Sequence, residues 1–213
     1  GALLFACQRI LPYFRRRSDA SFTLYRGCDM RMGWLVSAVG ALLLVGGDVC
    51  AQGGYSFALI GDGPYAPEDS LRFEALIDEI NADEDVVFVI HAGDIKNGSQ
   101  PCTDDFLEGR LDILSRFEDP LIFTPGDNEW TDCHQTKSGG FDPLERLSKL
   151  RLLFYPEMGV TLGRRPMEVE SQAVSAEWAT FRENVRWTQS DVHYATIHIV
   201  GSKMARPISL AEP

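Results

Sequence analysis

Three Gly-Asp pairs stand at near-equal intervals in the chain: Gly61-Asp62, Gly93-Asp94 and Gly126-Asp127. The aspartates are 32 residues apart (62 to 94) and then 33 (94 to 127). Each pair follows an apolar run of strand type, in Tyr55–Ile60, Val86–Ile90 and Pro120–Thr124. One Gly-Asp pair is an ordinary turn former. Three of them at strand ends, each one βαβ unit apart, would bring three carboxylates to one sheet edge. Carboxylates so gathered repel one another unless a cation compensates them, and hard divalent ions favour such oxygen donors. Asp62, Asp94 and Asp127 are therefore the expected metal ligands.

The elements between the pairs must carry this arrangement. Phe73, Leu76, Ile77 and Ile80 recur at helical spacing, and Asp69 or Ser70 can cap that helix. A second helix is expected from about Thr103, its N-cap, with Asp104 and Asp105 in the first turn. The uninterrupted apolar run Val86–Ile90 reads as a parallel strand buried on both faces. It ends at His91, which either supports Asp94 or simply packs. Asp142-Pro143-Leu144-Glu145 opens another capped helix, and Val192–Val200 reads as a strand containing His193 and His198. Arg164 and Arg165 lie in a loop, free to meet an anion or only water.

Composition narrows the function classes. The 213 residues carry a net charge of −11, and no basic groove suits a nucleic acid. Gly61-Asp62-Gly63-Pro64-Tyr65-Ala66 formally fits a dinucleotide fingerprint, but Asp62 would face the pyrophosphate and Pro64 disturbs the helix start. Walker A and G-x-S-x-G patterns are absent. Met30-Arg31 followed by the uncharged run Trp34–Gly47 and Val49-Cys50-Ala51 reads as a signal peptide over residues 30–51. Residues 1–29 then read as a misassigned upstream extension and 52–213 as the mature domain. The latter has 14 Lys plus Arg and 28 Asp plus Glu, so its net charge is 14 − 28 = −14. Its two cysteines, Cys102 and Cys133, are expected to form a disulfide in an exported protein. The mature chain would be periplasmic or secreted, with no membrane anchor after cleavage.

Gly61-Asp62, Gly93-Asp94 and Pro125-Gly126-Asp127-Asn128-Glu129 resemble the first three blocks of the calcineurin-like metallophosphoesterases, D-x-H, GD and GN-H-[D/E]. The resemblance runs from about Tyr55 to His134. It implies an α/β fold, the metallophosphoesterase-like α/β-β-α sandwich, with two divalent metal ions (Mn, Fe or Zn) and a phosphoester substrate. Asp62 would bind one ion, Asp94 would bridge both and Asp127 would bind the second. Some positions depart from the family pattern. The first block's histidine falls on Pro64, with Tyr65 beside it as an alternative oxygen donor. The catalytic histidine falls on Asn128, which can hydrogen-bond a phosphate oxygen but is a poor general acid. His134, brought near by the disulfide, is the other candidate catalytic side chain. The later G-H-x-H block is not present before Pro213, so the domain is expected to be C-terminally incomplete. Two functions follow. One is an exported metal-dependent phosphoesterase that cleaves monoesters or diesters with a hydroxide held between two metals. The other is a truncated, non-catalytic remnant or binding module. With so few imidazoles, weak metal binding and slow hydrolysis are expected.

Overall fold

The computed structural model describes residues 11–14, 23–27 and 54–199. The expected signal peptide, residues 30–51, lies outside the described residues. The three strands that lead to the Gly-Asp pairs are β3 (Tyr55–Ile60), β4 (Val86–His91) and β5 (Leu121–Phe123). They pair in parallel, in that order. Their C-terminal ends, and hence the three pairs, share one sheet edge. Two further strands, β1 (Leu11–Phe14) and β2 (Thr23–Gly27), extend the sheet antiparallel from β3. Both fall in the segment that the sequence set aside as an upstream extension.

Helices α1 (Pro67–Asn81) and α2 (Asp104–Leu114) make the two crossovers. Helix α1 begins before the expected cap. Pro67 takes the first helical position, which its fixed φ suits, and Asp69 reaches back to accept from Ala66 N–H at 3.0 Å. Helix α2 starts as expected, with Thr103 Oγ1 accepting from Phe106 N–H. Helix α3 (Pro143–Phe154) is capped by Asp142, which accepts from Glu145 N–H at 2.9 Å.

Alternate residues of the central strands enter two different cores. Ala58, Ile60, Val89, Leu121 and Phe123 pack with Phe73, Ile77 and Ile80 of α1, Leu114 of α2, and Leu150 and Phe154 of α3. Phe57, Phe88, Ile90 and Ile122 point the other way, against Val185, Trp187 and Tyr194. Those last three belong to a second, antiparallel sheet of β6 (Glu170–Ser171), β7 (Val185–Gln189) and β8 (Val192–Thr196). Phe88 meets Trp187 and Tyr194 edge-on, with ring centroids 5.4 and 5.1 Å away. Helices therefore cover one face of the main sheet and a second sheet covers the other, in the α/β order that the sequence predicts. Burial on both faces explains the uninterrupted apolar runs.

Two local expectations change. Strand β8 stops at Thr196, so His198 lies beyond it and not within a strand. Arg164 pairs with Glu118 and Arg165 with Asp119, so the loop that could have met an anion is tied to carboxylates on its own surface. Among the described residues no helix is long and apolar enough to cross a membrane.

Candidate functional site

The loops after β3, β4 and β5 meet at backbone level. Gly93 adopts φ +86°, and a Cβ placed there would lie 2.1 Å from Gly126 N. A Cβ on Gly126 would lie 2.1 Å from Asp94 Oδ1. No side chain fits between these two loops, which is why both positions before the aspartates are glycine. Asp62 N–H donates to Gly93 O at 3.1 Å, and Gly63 N–H donates to Asp94 O at 2.9 Å. Asn128 N–H donates to Asp94 Oδ1 at 3.3 Å. Asp94 thus stands where all three loops join.

Asp62 and Asp94 share an unusual backbone, each with φ 56° in the left-handed region. Aspartate tolerates this better than most residues, at a cost of roughly 1 kcal/mol. Strain of this kind persists where surroundings enforce it, and such places are often functional. Burial raises the Asp94 carboxyl above its ordinary value, and the charges of Asp127 and Asp62 add to that rise against the Asn128 hydrogen bond. Asp94 therefore responds to both of the other carboxylates. Tyr65 OH donates to Asp62 Oδ1 at 3.0 Å.

Among the described residues, however, no three His, Cys, Asp or Glu side chains are gathered as a group able to hold an ion. The donor chemistry of Asp62, Asp94 and Asp127 fits a hard divalent cation.

Around this centre lie Lys96, which the sequence did not single out, and Glu129, the last residue of the third block. Lys96 is fully buried, and its ammonium donates to Asn97 O at 2.9 Å and Asn128 O at 2.8 Å. Burial lowers its pKa. Glu129, also fully buried, accepts from Ile95 N–H at 2.9 Å through Oε1, while Oε2 has no hydrogen-bond partner among the described residues. Burial pushes its carboxyl up to about 8. Lys96 reaches from the β4 loop to the β5 loop and Glu129 reaches back, so the two cross-brace the loops that carry Asp94 and Asp127. Glu129 belongs to the Gly126–Glu129 run, but nothing local marks Lys96, because its role depends on which carbonyls surround it.

The two expected catalytic side chains lie differently. Asn128 is half-buried between the loops, with both its N–H and its C=O engaged. His134 is exposed at the end of the 3-10 turn Thr131–His134, with Nδ1 2.6 Å from Thr131 O. His91 sits beneath the site and is fully buried between Phe73 and Phe123; its Nδ1 accepts from Gly93 N–H at 3.2 Å. Burial lowers its pKa to about 4. It packs as a neutral strand-end residue that steadies the Gly93 turn.

Cys102 and Cys133 are bonded, with Cα atoms 5.7 Å apart. The bridge joins the segments that follow Asp94 and Asp127, and both sulfurs are buried. A loop closed across 31 residues stabilises by about 3–4 kcal/mol in the chain-entropy model. The Cys102→Ala/Cys133→Ala protein is therefore expected to unfold at markedly lower urea than wild type. Equal midpoints would show that the cross-braces alone hold the two loops.

Neither a curated protein nor a solved structure matches this chain. The family model of the calcineurin-like phosphoesterases does match, over residues 43–162. That span contains all three Gly-Asp pairs, the cross-braced loops and the disulfide, and it exceeds half of the sequence. It also carries the parallel strands β3 to β5 and helices α1 to α3, and the chain belongs to the calcineurin-like phosphoesterase family.

Proposed function

We propose that this protein is an exported, metal-dependent phosphoesterase that hydrolyses phosphomonoesters or phosphodiesters. The observation that carries the reading is the position of Asp94. It lies at the meeting point of three loops in a strained backbone, with a carboxyl raised by burial and by two neighbouring carboxylates. Folding gathers carboxylates here against the cost of burial and mutual repulsion, an arrangement better suited to binding an ion than to stability.

Asp62, Asp94 and Asp127 would hold the divalent ions. Bound divalent ions of this kind supply an activated nucleophile and neutralise charge on the phosphoryl oxygens. The protein's own groups place the substrate. Asn128, anchored through both backbone groups, can donate from its amide to a phosphoryl oxygen. Lys96 and Glu129 hold the Asn128 and Asp94 loops at a fixed separation. Tyr65 keeps the Asp62 carboxylate oriented. His134 can meet substrate only through Nε2, since Nδ1 is engaged with Thr131 O. The buried disulfide and the signal-like segment support export.

The test is release of nitrophenol from p-nitrophenyl phosphate and from bis(p-nitrophenyl) phosphate. Turnover is expected with added Mn2+, falling at least about tenfold after chelation and returning on readdition. Equal rates with and without chelator would refute metal dependence. No turnover with any divalent ion would favour the non-catalytic alternative.

A further inference from the structure

We infer that His198 is a positioning residue for the Asp127 loop, acting through Trp130 at the end of a part-buried chain of hydrogen bonds from Glu183. The role in metal binding rests on the reading proposed above; the positioning itself does not.

Trp130 lies three residues after Asp127. Its indole N–H reaches two acceptors, Gly126 O at 3.1 Å and His198 Nε2 at 3.2 Å. An indole N–H can only donate. His198 Nε2 must therefore be unprotonated, and the ring proton lies on Nδ1, facing Glu183 Oε1 at 3.1 Å. The two rings meet edge to face, with centroids 5.7 Å apart. Glu183 is fully buried and held from its other side by Arg151 of α3, whose Nε donates to Oε2 at 3.0 Å. His198 is fixed at its backbone as well, its N–H donating to Asn184 Oδ1 at 2.8 Å.

The chain runs Arg151 to Glu183 to His198 to Trp130 to Gly126 O. It joins α3, both ends of the β7–β8 hairpin and the turn that carries Asp127 and Asn128. The direction of each hydrogen bond is fixed by the donor-only groups at the two ends, Arg151 and Trp130. His198 is the one member that must both donate and accept, so its tautomer decides whether Trp130 is held. Gly126 O in turn fixes the peptide preceding Asp127, and so the direction in which that carboxylate leaves the backbone. Partners that orient a ligand in this way commonly account for 10–100-fold in metal affinity.

Two amide substitutions separate the two nitrogens. Gln at this position offers an acceptor near the place of Nε2, and Asn offers a donor near the place of Nδ1. His198→Gln should keep the hold on Trp130, while His198→Asn and Trp130→Phe should lose it. The readout is hydrogen–deuterium exchange of backbone amides in 125–130, normalised to β4 amides of the same protein so that a global loss of stability cancels. His198→Asn and Trp130→Phe should exchange there at least about fivefold faster than wild type, and His198→Gln within about twofold. Mn2+ titration of the same proteins should show weakening of about 10–100-fold for the first two and little for the third. Wild-type exchange in both His198→Asn and Trp130→Phe would overturn the proposal, as would equal acceleration in His198→Gln and His198→Asn. If wild type binds no Mn2+, the metal reading fails, and the exchange pattern still decides the positioning role.

Discussion

Replacing Asp94 with Asn is expected to leave the protein folded, at least as stable as wild type, and without useful phosphoesterase activity. The substitution suits the backbone, because Asn adopts the left-handed region that Asp94 occupies at φ 56° more readily than other non-glycine residues. An amide oxygen can still accept from Asn128 N–H, so the link between the β4 and β5 loops survives. What disappears is the charge. The Asp94 carboxyl titrates above its ordinary value in the fold, so its ionised form favours the unfolded chain. That destabilisation grows as pH rises from the unfolded value through the raised folded one, and it is fully present above both. At pH 7–8 without metal, the Asn variant should therefore unfold at equal or higher urea than wild type. Turnover with Mn2+ should fall at least about 100-fold, or about 2.7 kcal/mol of transition-state stabilisation. Melting in chelator together with steady-state assay of the same preparations checks both halves. Unchanged turnover would remove Asp94 from the metal site, and a large loss of stability would make its role structural.

Replacing Gly93 with Ala should strongly destabilise the fold. Two costs combine there. The residue sits at φ +86°, which an L side chain adopts only under strain, and its Cβ would lie 2.1 Å from Gly126 N. The obstacle is backbone on both sides, so no rotamer can relieve it; the β4 and β5 loops must part. Left-handed strain of about 1–2 kcal/mol and overpacking of about 1–3 kcal/mol give an expected loss of roughly 2–5 kcal/mol. Parting the loops would also disturb the braces made by Lys96 and Glu129. Two other glycines serve as controls. Gly140, at φ +69° with open space around its Cβ position, should cost only the strain when changed to Ala. Gly109 in α2 also has open space, and Gly109→Ala should stabilise by about 0.5–1 kcal/mol through helix propensity. Urea midpoints in the order Gly109→Ala, wild type, Gly140→Ala, Gly93→Ala are expected. A Gly93→Ala protein as stable as Gly140→Ala would show that the loops are not in backbone contact.

Much of the fold could be read from local pattern. The strand–Gly–Asp repeats fixed three parallel strands and the shared edge, because strand period, crossover length and turn residues are local properties. Thr103 and Asp142 were readable as helix caps for the same reason. The N-terminus of α1 was misplaced. Asp69 reads as a possible cap, whereas it lies one turn inside the helix and accepts from Ala66 N–H. The cap and the capping-box position carry similar residue types, and the sequence alone does not distinguish them there. Strand β7 was not anticipated, although Val185 and Trp187 alternate with Arg186 and Thr188 and it pairs with β8 across a two-residue turn; nor were β1 and β2.

The candidate site divides along the same line. Residue types and spacing determined that three carboxylates share one edge, that two cysteines follow two of them, and that glycine precedes each aspartate. Those features are repeated in sequence and need only chain direction to converge. Tertiary structure alone decided that Gly93 touches Gly126, that Lys96 and Glu129 are buried between the loops, and that His198 leaves the strand to meet Trp130 and Glu183. A lysine, a glutamate or a lone histidine reads in sequence as a solvated side chain. Each acquires its role only when packing removes water and leaves a particular carbonyl, amide or ring as its remaining partner.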